Sequence, residues 1–180
     1  MWFFSHASVG YLTTLILLRR EERTRIVMMA GTFSGMLPDS DILLIFWSKH
    51  AFIEYHRTFS HSLVFCLVTS LLLYINICSS CSGRVFQTFF AAGLSHLLVD
   101  VFMDLHYPYG IALLWPFSNY LFNFQVLDRL LSFGFVTSGS VSFIVSSVTA
   151  VITMFITFAF LEREKKHLSS FSSPTQKFTV

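Results

Sequence analysis

The stretch "SGMLPDSDILLIFW" (residues 34–47) decides how this chain is read. It sets two carboxylates, Asp39 and Asp41, in a run with no other charge and the look of a membrane-buried segment. An ion held alone at bilayer depth costs at least ~2.5 kcal/mol on insertion scales, so both aspartates need partners. The fold follows from where those partners lie.

The surroundings are equally apolar. Of 180 residues, 54% are hydrophobic, 22 are Phe and only 12% are charged. That is roughly half the charged fraction of a soluble domain. Several runs approach the ~20 apolar residues of a spanning helix. Composition therefore predicts an all-α, polytopic membrane bundle of about five transmembrane helices in one domain, residues 1–161. The expected spans are residues 2–18, 26–47, 62–78, 85–105 and one within 135–161. Residues 109–131 contain Gly110, Pro116, Asn119, Asn123 and Asp128, and read as a re-entrant or interfacial segment. Residues 162–180 are polar and Ser-rich, and predict a disordered cytoplasmic tail.

The first apolar run has no positive charge before it and no A-x-A cleavage site, which predicts a retained helix. Positive charges then orient the bundle. One side receives Arg19, Arg20, Arg23, Arg25, Arg84, Arg163, Lys165, Lys166 and Lys177; the other receives Lys49, Arg57 and Arg129. This bias predicts an N-terminus outside and a C-terminus in the cytoplasm. Cys78 and Cys81, a lone C-x-x-C, then face the reducing side and are expected to be ordinary thiols. A net charge of +2 without a basic stripe gives no reason to expect a nucleic-acid partner.

The histidines and aspartates fall on this map unevenly. His6, His50, His56, His61, His96 and His106, with Asp39, Asp41, Asp100 and Asp104, all gather toward the outer side. The orientation came from Lys and Arg alone, so this clustering is independent of it. His96, Asp100 and Asp104 recur every fourth residue and share a helix face. Pro38 kinks or breaks the helix so that Asp39 and Asp41 can turn toward one centre. "HRTFSH" adds His56 and His61, with Arg57 beside them as a phosphate clamp. Imidazoles mixed with carboxylates suit zinc, manganese or iron, and the number of candidates hints at one or two ions.

Each residue alone has an ordinary explanation. An intramembrane His often only hydrogen-bonds a neighbouring helix. Asp41 could simply pair with Arg57, His50, His106 and His167 could be solvated, and Asp128 could pair with Arg129. Eight ionisable groups at one depth are not all incidental. "DSDIL" also matches an aspartyl-phosphate D-x-D pattern, but that needs a soluble α/β core this chain has no room to build.

"LPDSD", "HRTFSHSL", "GLSHLLVD" and "YGIALLWPFS", behind an N-terminal "SH…G", together resemble one family. It is the inner-membrane, membrane-bound metal-dependent hydrolases, also described as LexA-binding, inner membrane-associated hydrolases. The resemblance covers residues 6–118 and implies metal ligands at His6, Asp39, Asp41, His56, His61, His96 and Asp100. Arg57 and Ser62 belong to the same signature. Three departures stand out: Thr58 and Ser60 replace a Gly and a Thr, Ile42 replaces a frequent His, and the gap from Asp100 to Gly110 is about one turn longer. Asp104 therefore competes with Asp100 as ligand.

The resemblance implies a hydrolase of the bacterial inner membrane. Depth of the site adds a membrane-lipid partner and, as substrate, a lipid or polyprenyl phosphate ester of the outer leaflet, with Trp115, Phe117 and Tyr120 at the headgroup level. Asp41 or Asp104 would act as general base and Arg57 would stabilise developing charge. The rivals are an ion transporter or proton relay, which needs ionisable groups continuing inward, and a non-catalytic membrane adaptor.

Overall fold

The computed structural model describes residues 3–78, 80–103 and 110–124, and in the C-terminal stretch 147–148, 151–152, 154–159 and 162–163. The architecture is all-helical. Helix α1 (Phe3–Leu17) is followed by a short 3-10 turn, then α2 (Arg25–Met36), a 3-10 segment (Leu37–Phe46), α3 (Lys49–Tyr55), α4 (Leu63–Cys78) and α5 (Gly83–Met103). Among the described residues α5 alone is long and apolar enough to cross a membrane, over Gly83–Phe102; the apolar α4 is shorter. Five spans were expected. The last of them and the tail fall largely outside the described residues.

Local chemistry sets the helix ends. Thr24 caps α2 by accepting from Val27 N at 3.3 Å, and Ser48 caps α3 from Ala51 N at 3.3 Å. Ser62, singled out by its motif, caps α4 by accepting from Phe65 N at 3.1 Å. The expected span 26–47 is not one α-helix. It changes at Leu37, next to Pro38, because proline lacks the donor and crowds the preceding turn. Ten residues of 3-10 helix follow, far beyond the usual three or four.

α1, α2 and α5 pack pairwise against one another, and α4 lies against α5. The α1–α2 crossing is close: a Cβ added at Gly35 would stand 2.7 Å from Gly10 Cα. Gly31 lies one turn earlier against Thr14. The resulting Gly31–Gly35 pair is a small-xxx-small face of the kind that lets membrane helices touch backbone to backbone. Ser34 Oγ donates to Phe89 O at 2.7 Å and fixes α2 to α5.

Two apolar clusters hold the bundle. Leu15, Leu18, Val27, Ala30, Val85 and Phe89 fill one end. Cys66, Leu97, Val101 and Ile111 fill the other. Residues 110–124, expected to be re-entrant or interfacial, are mostly irregular and join the second cluster. Ile111 bridges Phe122, Leu113 O accepts from Leu63 N at 3.0 Å, and Ala112 N donates to Arg57 O at 2.9 Å.

The expectation of two ordinary thiols is corrected. Cys78 and Cys81 form a disulfide, since the turn after α4 brings their Cα atoms to 5.2 Å, inside the bridging range.

Candidate metal centre

Five ionisable side chains from four parts of the chain meet at one point. α1 supplies His6, the 3-10 segment Asp39, the loop before α4 His61, and α5 both His96 and Asp100. The 3-10 geometry explains how D-x-D serves one site. Three residues per turn set Asp39 and Asp41 ~120° apart instead of the ~160° of an α-helix. Asp39 then faces the centre and Asp41 the loop.

His61 lies between the two aspartates. Its Nε2 is 3.6 Å from Asp39 Oδ1 and 3.3 Å from Asp100 Oδ2, while its Nδ1 is 3.4 Å from Asp41 Oδ2. His96 Nε2 stands 3.5 Å from Asp39 Oδ1 and 3.4 Å from Asp100 Oδ2. His6 Nε2 stands 3.3 Å from Asp100 Oδ1 and 3.9 Å from Asp39 Oδ2. The donor atoms of His6, Asp39, His96 and Asp100 all lie within 4.8 Å of one another.

These distances separate two explanations. Charge-assisted N–H···O bonds run ~2.7–2.9 Å, and this structure makes such contacts elsewhere in the site: His96 Nδ1 reaches Gly35 O at 2.8 Å and His56 Nδ1 reaches Asp41 Oδ2 at 3.0 Å. The converging contacts are longer. Bonds of ~2.0–2.1 Å to a tetrahedral ion place neighbouring donors ~3.3–3.4 Å apart, which matches three of the six, with two more at 3.5 and 3.6 Å. The Nε2 atoms of His6, His61 and His96 are buried, and among the described residues none has a hydrogen-bond partner. Gly35 O can only accept, so His96 Nδ1 carries a proton, and its Nε2 is the atom aimed at two carboxylates. Imidazoles facing carboxylates at this spacing need positive charge among them, as protons on the rings or as a bound cation. The donor set fits zinc, manganese or iron.

Burial alone would lower the pKa of His61, but the carboxylates of Asp100, Asp39 and Asp41 beside it outweigh that and raise it to about 10. Burial depresses the Arg57 pKa, against the pull of Asp100, Asp39 and Asp41. The site is a place for positive charge.

Asp41 and His56 stand one step back. Asp41 Oδ2 accepts from His56 Nδ1, from Arg57 N at 3.0 Å and from Ser60 Oγ at 2.9 Å. Since a carboxylate accepts, His56 carries its proton on Nδ1, and its Nε2 takes the Arg57 Nε–H at 3.2 Å. Both ring nitrogens of His56 are thus engaged outside the converging set. Asp41 instead holds His61 through Ser60, whose Oγ donates to Asp41 and takes the His61 Nδ1–H at 3.1 Å, as an outer group of a carboxylate–histidine–metal arrangement does. Arg57 has a left-handed φ of 67°. Thr58, which replaces the expected glycine, has no such φ, and its hydroxyl donates to Tyr55 O at 2.6 Å. Asp104 lies outside the described residues; Asp100 is in the cluster.

Sequence reasoning missed Gly35, whose carbonyl fixes the His96 tautomer and whose missing side chain admits α1. The G-x-x-x-G spacing of "GTFSG" was the available signal. A cavity of about 160 Å³ adjoins the cluster, lined by Asp39, Asp41, Ile42, Phe52, His56, Arg57 and Asp100.

Among known proteins, a family model described as YdjM inner membrane protein matches residues 1–166. No curated protein and no solved structure matches.

Proposed function

The chain belongs to the YdjM inner membrane protein family, and from that premise we propose that it is a membrane-embedded, metal-dependent hydrolase of phosphate esters. The family description establishes the inner membrane and names no activity. The observation that carries the hydrolase reading is the set of buried imidazole–carboxylate contacts near 3.3–3.6 Å beside a cavity holding an arginine.

In this reading the bundle crosses the membrane about five times, with the N-terminus outside and the C-terminus in the cytoplasm. His6, Asp39, His61, His96 and Asp100 hold one or two divalent ions, zinc before manganese or iron. When bound, such an ion supplies Lewis-acid polarisation and makes the attacking water more acidic. The chain's own residues do the rest. Arg57, anchored through its backbone N, its carbonyl and its Nε, binds a phosphate oxygen and stabilises the charge that builds there. Asp41 lines the cavity and takes the proton of the attacking water. His56 holds the Arg57 guanidinium in place. The substrate is a lipid or polyprenyl phosphate ester reached from the outer leaflet, which suits the exposed Phe117 and Tyr120 on the segment packed against Arg57.

An ion path would need polar groups continuing through the bundle. The opposite end is instead packed with Leu15, Leu18, Val27, Val85 and Phe89, which favours a one-sided pocket.

The test is purified protein assayed for divalent-dependent phosphatase activity and metal content, wild type against His61→Ala. Loss of both is expected. Activity retained with full metal content would refute the assignment.

A further inference from the structure

The nearest-atom contacts divide the cluster in two, a step that rests on the metal-binding part of the proposed function and not on its substrate. Both aspartates are split the same way. His61 Nε2 and His96 Nε2 face the same two oxygens: Asp39 Oδ1 at 3.6 and 3.5 Å, and Asp100 Oδ2 at 3.3 and 3.4 Å. His6 Nε2 faces the other two, Asp100 Oδ1 at 3.3 Å and Asp39 Oδ2 at 3.9 Å. Each carboxylate therefore turns one oxygen to the His61–His96 side and its second oxygen to the His6 side. All three Nε2 atoms are buried and, among the described residues, have no hydrogen-bond partner.

Ring orientation leads to the same division. His6 and His96 are stacked, with centroids 3.6 Å apart and planes only 19° from parallel. An imidazole nitrogen binds an ion in the plane of its own ring, at ~2.0–2.1 Å. An ion so placed for one of these rings lies more than ~2 Å from the plane of the other, as far as a whole bond reaches. One ion cannot serve both. His61 and His96 have no such conflict, because their planes stand 70° apart and can meet at one ion.

We propose that the cluster is a two-ion centre bridged by Asp39 and Asp100, with one divalent ion held by His61, His96, Asp39 Oδ1 and Asp100 Oδ2, and the other by His6, Asp100 Oδ1 and Asp39 Oδ2. Two-metal sites hold their ions ~3.5–4 Å apart, and the 3.6 Å stack of His6 on His96 sets the two binding directions at that spacing. The first ion has the four protein donors of a filled tetrahedral shell. The second has three among the described residues and keeps a position for a water or ligand oxygen. Both bridging carboxylates line the cavity, so a molecule bound there meets the pair.

The test uses tag-free, full-length protein in detergent, loaded with zinc for elemental analysis and with manganese for electron paramagnetic resonance. Two zinc ions per chain are expected, with a manganese spectrum of exchange-coupled ions instead of isolated ones. His6→Ala should halve the bound zinc and replace the coupled spectrum by that of an isolated ion. Should that variant fail to fold, His6→Asn, closer in size, should do the same, and the wild-type count and spectrum decide on their own. A single zinc ion per wild-type chain, two manganese ions without coupling, or a coupled pair that survives His6→Ala would overturn the proposal. Two coupled ions without phosphate-ester hydrolysis would support it and count against the hydrolase reading alone. Divalent-dependent hydrolysis with one ion per chain would do the opposite, and no bound ion at all would overturn both.

Discussion

Substituting Gly35 by alanine tests the link between helix packing and the cluster. The added Cβ would stand 2.7 Å from Gly10 Cα and 3.3 Å from His6 O. Carbon atoms prefer ~3.5–4.0 Å, so α1 must retreat by roughly 1 Å. His6 sits on α1, one turn before Gly10, and moves with it. Metal–ligand bonds tolerate about ±0.2 Å, so a retreat of that size removes His6 from the donor set. The same shift strains the His96 Nδ1 contact to Gly35 O, now 2.8 Å. We expect metal affinity to fall about 100-fold, at the upper end for a displaced supporting group, and stability to fall by ~1–3 kcal/mol from overpacking. The control is Gly83→Ala, whose Cβ would meet nothing within 4 Å. Chelator competition on purified protein, with thermal unfolding alongside, reads both effects. If Gly35→Ala binds metal within twofold of the wild type, the reasoning from packing to cluster is wrong.

His96→Ala removes a donor outright, and elemental analysis should find the purified protein depleted of its divalent ion. Asp41→Asn keeps the shape of the side chain but weakens its hold on Ser60 and so on His61, and should lower metal affinity by ~10–100-fold in the same competition assay. Arg57 has a φ of 67°, so Arg57→Gly should be more stable than Arg57→Ala by ~1 kcal/mol, since only glycine takes that conformation at no cost. Paired thermal melts would show it as a difference of roughly 2–4 °C.

Much of the site could be read from the sequence because ionisable residues are so costly in an apolar chain. His6, Asp39, His61, His96 and Asp100 each needed an explanation, and the structure brings the five together. Their division of labour was less visible. Spacing puts His56 and Asp41 near the centre but cannot tell which ring nitrogen faces what, and both nitrogens of His56 turn out to serve Asp41 and Arg57. The ends of α1, α4 and the start of α5 lie within two residues of the expected boundaries, because hydropathy and caps mark them. The second expected span failed as one helix for a reason the sequence shows only faintly. Pro38 announces a break, but nothing local distinguishes ten residues of 3-10 helix from an α-helix of the same composition. The short α3 was hidden in a loop for want of length. The Cys78–Cys81 bond was discounted from a compartment argument, which says nothing about how close a tight turn brings two sulfurs.

The order in which the donors occur along the chain has a consequence for biosynthesis. His6 is made first, then Asp39 and His61, and the cluster is completed only when His96 and Asp100 arrive on α5. Until then His6, Asp39 and His61 lack the two α5 donors that complete the cluster. Completion of the five-residue cluster therefore waits on α5, while the segment at 110–124 that holds Arg57 arrives later still.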